Sequence, residues 1–220
     1  MTESEWLACT DPGTMLEFLK GKTSDRKLRL FAVACSRRMW ERRPTLLRGR
    51  TDRATIEMAE RYADSEVTSD ELDAIWRGAS RPEVRNLAIY SIRGTERLAA
   101  YTSEKWAETE ARYVTERQGS EAGGAAWRGE RQAHAMLLRD IIGNPFRLVT
   151  VHADWLTWNH RMIANLAQAI YDDRAFDRLP ILADALEDAG CTEAEILTHC
   201  RGPGPHVRGC WVVDLLLGRS

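Results

Sequence analysis

The stretch Ser24–Pro44, SDRKLRLFAVACSRRMWERRP, decides the fold class. Leu28, Phe31, Ala32, Cys35 and Met39 recur at i, i+3, i+4, i+7 and i+11, a single apolar stripe with the period of an α-helix. Ser24 or Asp25 supplies the N-terminal cap, and Pro44 ends the helix. Arg29, Arg37 and Arg38 lie largely off the stripe.

The same signals recur on both sides. Asp11-Pro12 opens a short helix through Met15, Leu16 and Leu19 that stops at Gly21. Val67-Thr68-Ser69-Asp70-Glu71-Leu72 reads as a capping box with a hydrophobic staple. Ser80 to Glu83 repeats the box and opens a helical stretch towards Arg117, interrupted at Gly94. Helical spacing returns in His134–Ile142, Asn159–Tyr171 and Arg178–Ala189, then in a box from Thr192 to Glu195 and a last helix from Pro205 with Trp211, Val212, Leu215 and Leu216 inward. Only 148–151 hints at an extended segment. The fold class predicted is all-α, a helical bundle.

The segment from Gly119 to Gly129, GSEAGGAAWRG, is the clearest break, with three glycines within six residues. It divides an N-terminal helical region, 1–118, from a C-terminal helical bundle, 131–220, with 119–130 as a linker or loop.

With 44% hydrophobic and 29% charged residues the 220-residue chain is globular in composition, and its apolar runs are too short to span a membrane. The acidic N-terminus does not read as a secretory signal, and five cysteines, an odd number, do not read as a disulfide framework. The expected compartment is the cytoplasm.

The net charge of −2 conceals an asymmetry. Between Lys20 and Arg53 twelve Lys and Arg face three acids, a local charge of +9 that leaves −11 for the rest. A cluster including Arg37, Arg38, Arg42 and Arg43 beside Trp40 suits phosphate binding with a stacking face. The alternative is pairing with the chain's own acids.

The segment 190–211, GCTEAEILTHCRGPGPHVRGCW, concentrates Cys191, His199, Cys200, His206 and Cys210. Cys191, His199, His206 and Cys210 offer four zinc ligands. Their spacing lacks a CxxC pair, and His199 and Cys200, about 100° apart on one helix, cannot easily ligate together. A structural reading, with the cysteines as small hydrophobes near helix ends, is preferred, so no cofactor is expected and zinc is the alternative. His206, placed at a helix N-terminus with Arg208 nearby, is a candidate anion or partner site. A helix-turn-helix over Leu182–His199 would present Glu193 and Glu195 to phosphate, which argues against DNA reading.

Two long blocks carry a resemblance. EWLACTDPGTMLEFLKGKTSDRKLRLFAVACSRR at the start, and NPF, LAQAIYDDRAFDRLPILADALEDAGC and ILTHCRGPGPHVRGCWVVDLLLG at the end, resemble an uncharacterised family of paralogous bacterial proteins common in planctomycetes. The resemblance implies a bacterial, intracellular, stand-alone protein and carries no site residue. The function expected is a non-catalytic protein-interaction or adaptor module with a protein partner and no membrane. The alternatives are nucleic-acid binding through residues 20–53, and a metal- or anion-dependent enzyme using Cys191 to Cys210.

Overall fold

A computed structural model describes every residue except Arg48, Gly94 and Ser220. The helix interruption expected at Gly94, and Arg48 of the basic segment, therefore lie outside the described residues. The chain is all-α, and among the described residues no strand occurs. It divides into two compact units, Met1–Leu138 and Arg139–Ser220.

The N-terminal unit holds α1 (Glu3–Ala8), α2 (Pro12–Leu19), α3 (Asp25–Arg42), α4 (Arg50–Ala63), α5 (Ser69–Trp76), α6 (Pro82–Arg93) and α7 (Thr95–Gln118). Most of α8 (Ser120–Ile142) also belongs to it. The helix α3 is central, packing against α4, α6 and α7, and its whole predicted stripe is buried. Trp106 of α7 is buried and donates its indole N–H to Ser36 Oγ on α3 at 2.9 Å. The expected caps at Ser24, Asp11 and Thr68 form, the last as a full capping box with Glu71. At the start of α6, Asp52 of α4 reaches across to accept from the Ser80 and Arg81 amides at 2.7 and 3.2 Å.

The glycine-rich 119–130 segment is where the structure departs most from the sequence reading. Only Gly119, with φ +91°, makes a turn; Ser120 onward is helix, and the two units divide between Leu138 and Arg139. The reason is close approach of helices. A Cβ at Gly123 would collide with Thr115 Oγ1 and lie 2.9 Å from the Ala111 carbonyl, both on α7.

The C-terminal unit contains the last turn of α8, then α9 (Ala153–Asp173), a 3₁₀ turn at Phe176–Arg178, α10 (Leu179–Asp188), α11 (Ala194–Arg201) and α12 (Trp211–Leu217). Its core joins Ile163, Ala167, Ile170, Tyr171, Leu182, Leu186, Ile196, Val212 and Val213. Helical geometry in α9 breaks at 158–161, where Asn159, His160 and Arg161 take left-handed φ of 43°, 57° and 65°. The regular helix therefore starts beyond the Asn159 that the spacing suggested. Residues 148–151 are coil. The helix α12 starts at Trp211, not Pro205, and buries Val212, Val213 and Leu216, while Trp211 and Leu215 are half-buried. The box expected from Thr192 does not form: Glu193 is the N-cap of α11, without a side-chain cap bond.

Candidate functional site

The C-terminal unit gathers Asp140, His199, His206 and Cys210 so that one ligand atom from each lies within 4.8 Å of all the others. Each comes from a different place. Asp140 is in the last turn of α8, His199 in the last turn of α11, His206 on the Gly-Pro-Gly-Pro turn, and Cys210 at the N-cap of α12. Asp140 Oδ1 lies 2.8 Å from His206 Nδ1 and 3.2 Å from His199 Nε2, and His199 Nε2 lies 3.1 Å from Cys210 Sγ. Asp140 and Cys210 are buried, and the two imidazoles are each largely covered.

Local chemistry holds this arrangement. Asp140 Oδ2 accepts from the Val207 amide at 2.9 Å, which leaves Oδ1 facing the histidines. His206 Nε2 lies 3.2 Å from the Gly202 carbonyl, and a carbonyl only accepts, so Nε2 carries the hydrogen and Nδ1 is directed at Asp140. Gly204 has φ +82°, and a Cβ there would lie 2.9 Å from the His206 amide and 3.2 Å from its ring, so the turn needs glycine at this point to seat the imidazole. The Trp211 indole packs edge-on against the His199 ring at 5.3 Å.

The electrostatics follow from burial and the single carboxylate. Burial pulls the His206 pKa down, but the hydrogen bond and charge of Asp140, with the Gly202 carbonyl, raise it overall. Burial first, then Asp140, pushes the Cys210 thiol well above its ordinary value. The set can thus hold a proton or a cation between carboxylate, imidazoles and sulfur.

Three of the four metal-ligand candidates named from sequence, His199, His206 and Cys210, come together. Cys191 does not join them: it lies in the apolar core with Cys200, whose thiol burial raises to about 12. Asp140 takes its place. Its mark in the sequence is a lone acid beside Arg139 in an otherwise apolar stretch, 136–142, close to a helix end whose dipole disfavours negative charge.

The anion site expected at His206 and Arg208 has the wrong surroundings. No helix begins at His206, which faces the Asp140 carboxylate, and Arg208 lies over the Tyr171 ring at 4.6 Å.

The basic face is also engaged within its own unit. Arg37 binds Glu60 through two bonds of 3.1 and 2.9 Å, and Arg38 binds Glu130 at 2.8 and 3.4 Å. Arg42 and Arg43 converge on Glu110 at 3.2 and 2.7 Å. All three glutamates are buried, at 1–2% exposure. The Trp40 ring, expected as a stacking face, lies near the Arg37 and Arg53 guanidiniums at 5.8 and 4.9 Å.

A second polar centre has no local signature in the sequence. Ser103 Oγ lies 3.0 Å from His134 Nδ1, and His134 Nε2 lies 3.4 Å from Glu130 Oε1. The order Ser, His, Glu resembles a hydrolase relay, but all three side chains are buried and Glu130 is committed to Arg38, so it reads as core structure. No protein-family model, curated protein or solved structure matches the chain.

Proposed function

We propose that the chain is a non-catalytic interaction module of a bacterial cytoplasm, an adaptor that docks a protein partner through the loop joining α8 to α9. The observation that carries this reading is the display of Phe146 and Leu148. Leu148 is 100% exposed and Phe146 is 40% exposed, two residues apart on a loop fixed on both sides. The Phe146 amide donates to Asn144 Oδ1 at 3.1 Å, and Arg147 pairs with Glu195 at 2.9 Å. Val149 and Val151 pack onto the core. A pinned loop that keeps large apolar side chains in water loses little further entropy on docking, and burying each contributes about 1.5–3 kcal/mol.

The internal pairing of Arg37, Arg38, Arg42 and Arg43 supports a protein partner over nucleic acid, because phosphate would compete with buried glutamates for those cations. Among the described residues, no helix is long and apolar enough to cross a membrane. The test is a quantitative pull-down from the native cell with the intact chain and with Phe146→Ser/Leu148→Ser. Loss of a specific protein partner at unchanged melting temperature is the expected result. Equal recovery of every partner by the double variant, or retention on DNA that weakens with salt and needs Arg42, would overturn the reading.

A further inference from the structure

We infer that Asp140, His199, His206 and Cys210 form a closed, tetrahedral zinc site that ties together the four segments meeting in the C-terminal unit. This inference is independent of the docking loop and stands or falls without it.

Ligand geometry is the first support. Zinc binds imidazole nitrogen and carboxylate oxygen at about 2.0–2.2 Å and thiolate sulfur at about 2.3 Å, so neighbouring ligand atoms of a tetrahedron lie roughly 3.3–3.7 Å apart. The close pairs here stand at 2.8, 3.1 and 3.2 Å, and the whole set spans at most 4.8 Å. Outward shifts of a few tenths of an ångström at these pairs, with closure of about 1 Å across the widest one, would give zinc its distances. One carboxylate, two imidazoles and one sulfur form a borderline-soft set that suits zinc and is a poor match for calcium or magnesium, which take oxygen shells.

The surrounding contacts are the second support, and they are independent of the ligand distances. Metal-bound histidine characteristically donates its other ring N–H to a carbonyl or carboxylate. His206 does this: its Nε2 faces the Gly202 carbonyl, which directs Nδ1 into the cluster at Asp140 Oδ1. A contact of 2.8 Å between Nδ1 and Oδ1 needs a positive centre between the two atoms, which a proton supplies in the empty site and a metal ion would supply in the loaded one. The carboxylate is oriented too, since the Val207 amide holds Oδ2 and turns Oδ1 inward. Sequence-adjacent Cys200 points into the apolar core while His199 faces the site, the division a single metal requires of neighbours on one helix.

Four protein ligands leave no open position for water or substrate, which marks a structural rather than a catalytic site. The ion would link residues 140, 199, 206 and 210, of which 199 and 210 flank the irregular turn 202–209 and 206 lies within it. That turn has few regular backbone bonds of its own, so metal binding there becomes folding energy.

The test uses the full chain, stripped with a strong chelator and titrated with Co²⁺ and then Zn²⁺. The expected result is saturation at about one metal per chain with a thiolate-to-cobalt charge-transfer band, which Zn²⁺ abolishes by displacement. Cys210→Ser should lose the charge-transfer band, and His206→Ala should weaken zinc binding at least tenfold. Cys191→Ser, outside the site, should keep both band and stoichiometry. Circular dichroism on each chain separates lost ligation from lost fold. A folded, stripped chain that develops no thiolate band at one equivalent of Co²⁺ would sink the inference. So would a band that survives Cys210→Ser and disappears in Cys191→Ser.

Discussion

The Trp211 indole lies directly against Gly143: a Cβ built on Gly143 would sit 3.0 Å from Trp211 Cγ and 3.1 Å from Cδ2. Gly143 closes α8 three residues after Asp140, and Trp211 opens α12 next to Cys210, so this contact fastens the two chain segments that bring the carboxylate and the thiol together. Gly143 also has φ +75°, a conformation in which L side chains are strained.

Gly143→Ala therefore combines backbone strain with a steric conflict and should destabilise the C-terminal unit by about 1–3 kcal/mol. Trp211 is half-buried, so Trp211→Ala should cost about 2 kcal/mol, less than the roughly 3–5 kcal/mol typical of a fully buried Trp. In the Trp211→Ala background the conflict is gone and Gly143→Ala should cost only about 1 kcal/mol. Urea melts of the four chains measure this cycle. Strict additivity would show that the indole and the glycine do not press on each other.

Glu110 is buried between two cations, Arg42 and Arg43. Glu110→Gln leaves Arg42 and Arg43 unpaired, but their side chains are 44% and 27% exposed and water takes up part of that charge, so the N-terminal unit should lose about 1–3 kcal/mol. Replacing Arg37, Arg38, Arg42 and Arg43 together with Gln should be worse, because three buried glutamates lose their cations at once. A loss below about 1 kcal/mol in equilibrium unfolding would show these pairs to be ordinary surface pairs.

Glu130 gives the acid side of the stability profile its shape. Burial pushes its carboxyl up, but His134 and Arg38 outweigh burial and hold it down to about 2, against 4.5 ordinarily. The folded-state value is depressed, so the stabilisation is complete above the unfolded value near 4.5 and is lost as pH falls towards 2. A shift of this size corresponds to about 3 kcal/mol. Unfolding free energies measured from neutral pH down through this window should fall for the native chain and fall less steeply for Glu130→Gln. Identical slopes would remove Glu130 as the cause.

Much of what depends on local periodicity is legible in the sequence, although the box expected from Thr192 does not form and helical geometry breaks at 158–161. The α3 stripe needs only its spacing, and the caps at Asp11 and Thr68 need only residues within one turn. What depends on contacts distant in sequence is half-legible. The charge excess of residues 20–53 is plain, but its partners Glu60, Glu110 and Glu130 lie on α4, α7 and α8, and nothing local marks them as buried. The Cys and His concentration points to His199, His206 and Cys210, while Asp140 stands 66 residues before His206 and carries only a faint signal in its apolar setting. Cys191 is close to the other ligands in sequence, whereas the site is chosen by which side chains α11 and the Gly-Pro turn direct at the end of α8.

The glycines of α8 show the same division and supply the last prediction. In an exposed helix, Gly→Ala stabilises by up to about 1 kcal/mol because alanine loses less backbone entropy on folding. Gly129 is helical and exposed, and no atom lies within 4 Å of the place a Cβ would take. Gly129→Ala should therefore raise stability by about 0.5–1 kcal/mol. Gly123 has the same helix propensity and the opposite surroundings, since its Cβ would collide with Thr115 Oγ1 and press on the Ala111 carbonyl. The carbonyl belongs to the α7 backbone and cannot swing aside, so Gly123→Ala must force the helices apart and should destabilise by about 1–3 kcal/mol. Thr115→Ala in the same chain removes the side-chain conflict but leaves the carbonyl, so it should recover part of the loss and not all of it. Thermal melts of the three variants decide the matter. If both glycine substitutions stabilise, Gly123 is a weak helix residue and nothing more, and the close approach of α7 and α8 is not what its lack of a side chain serves.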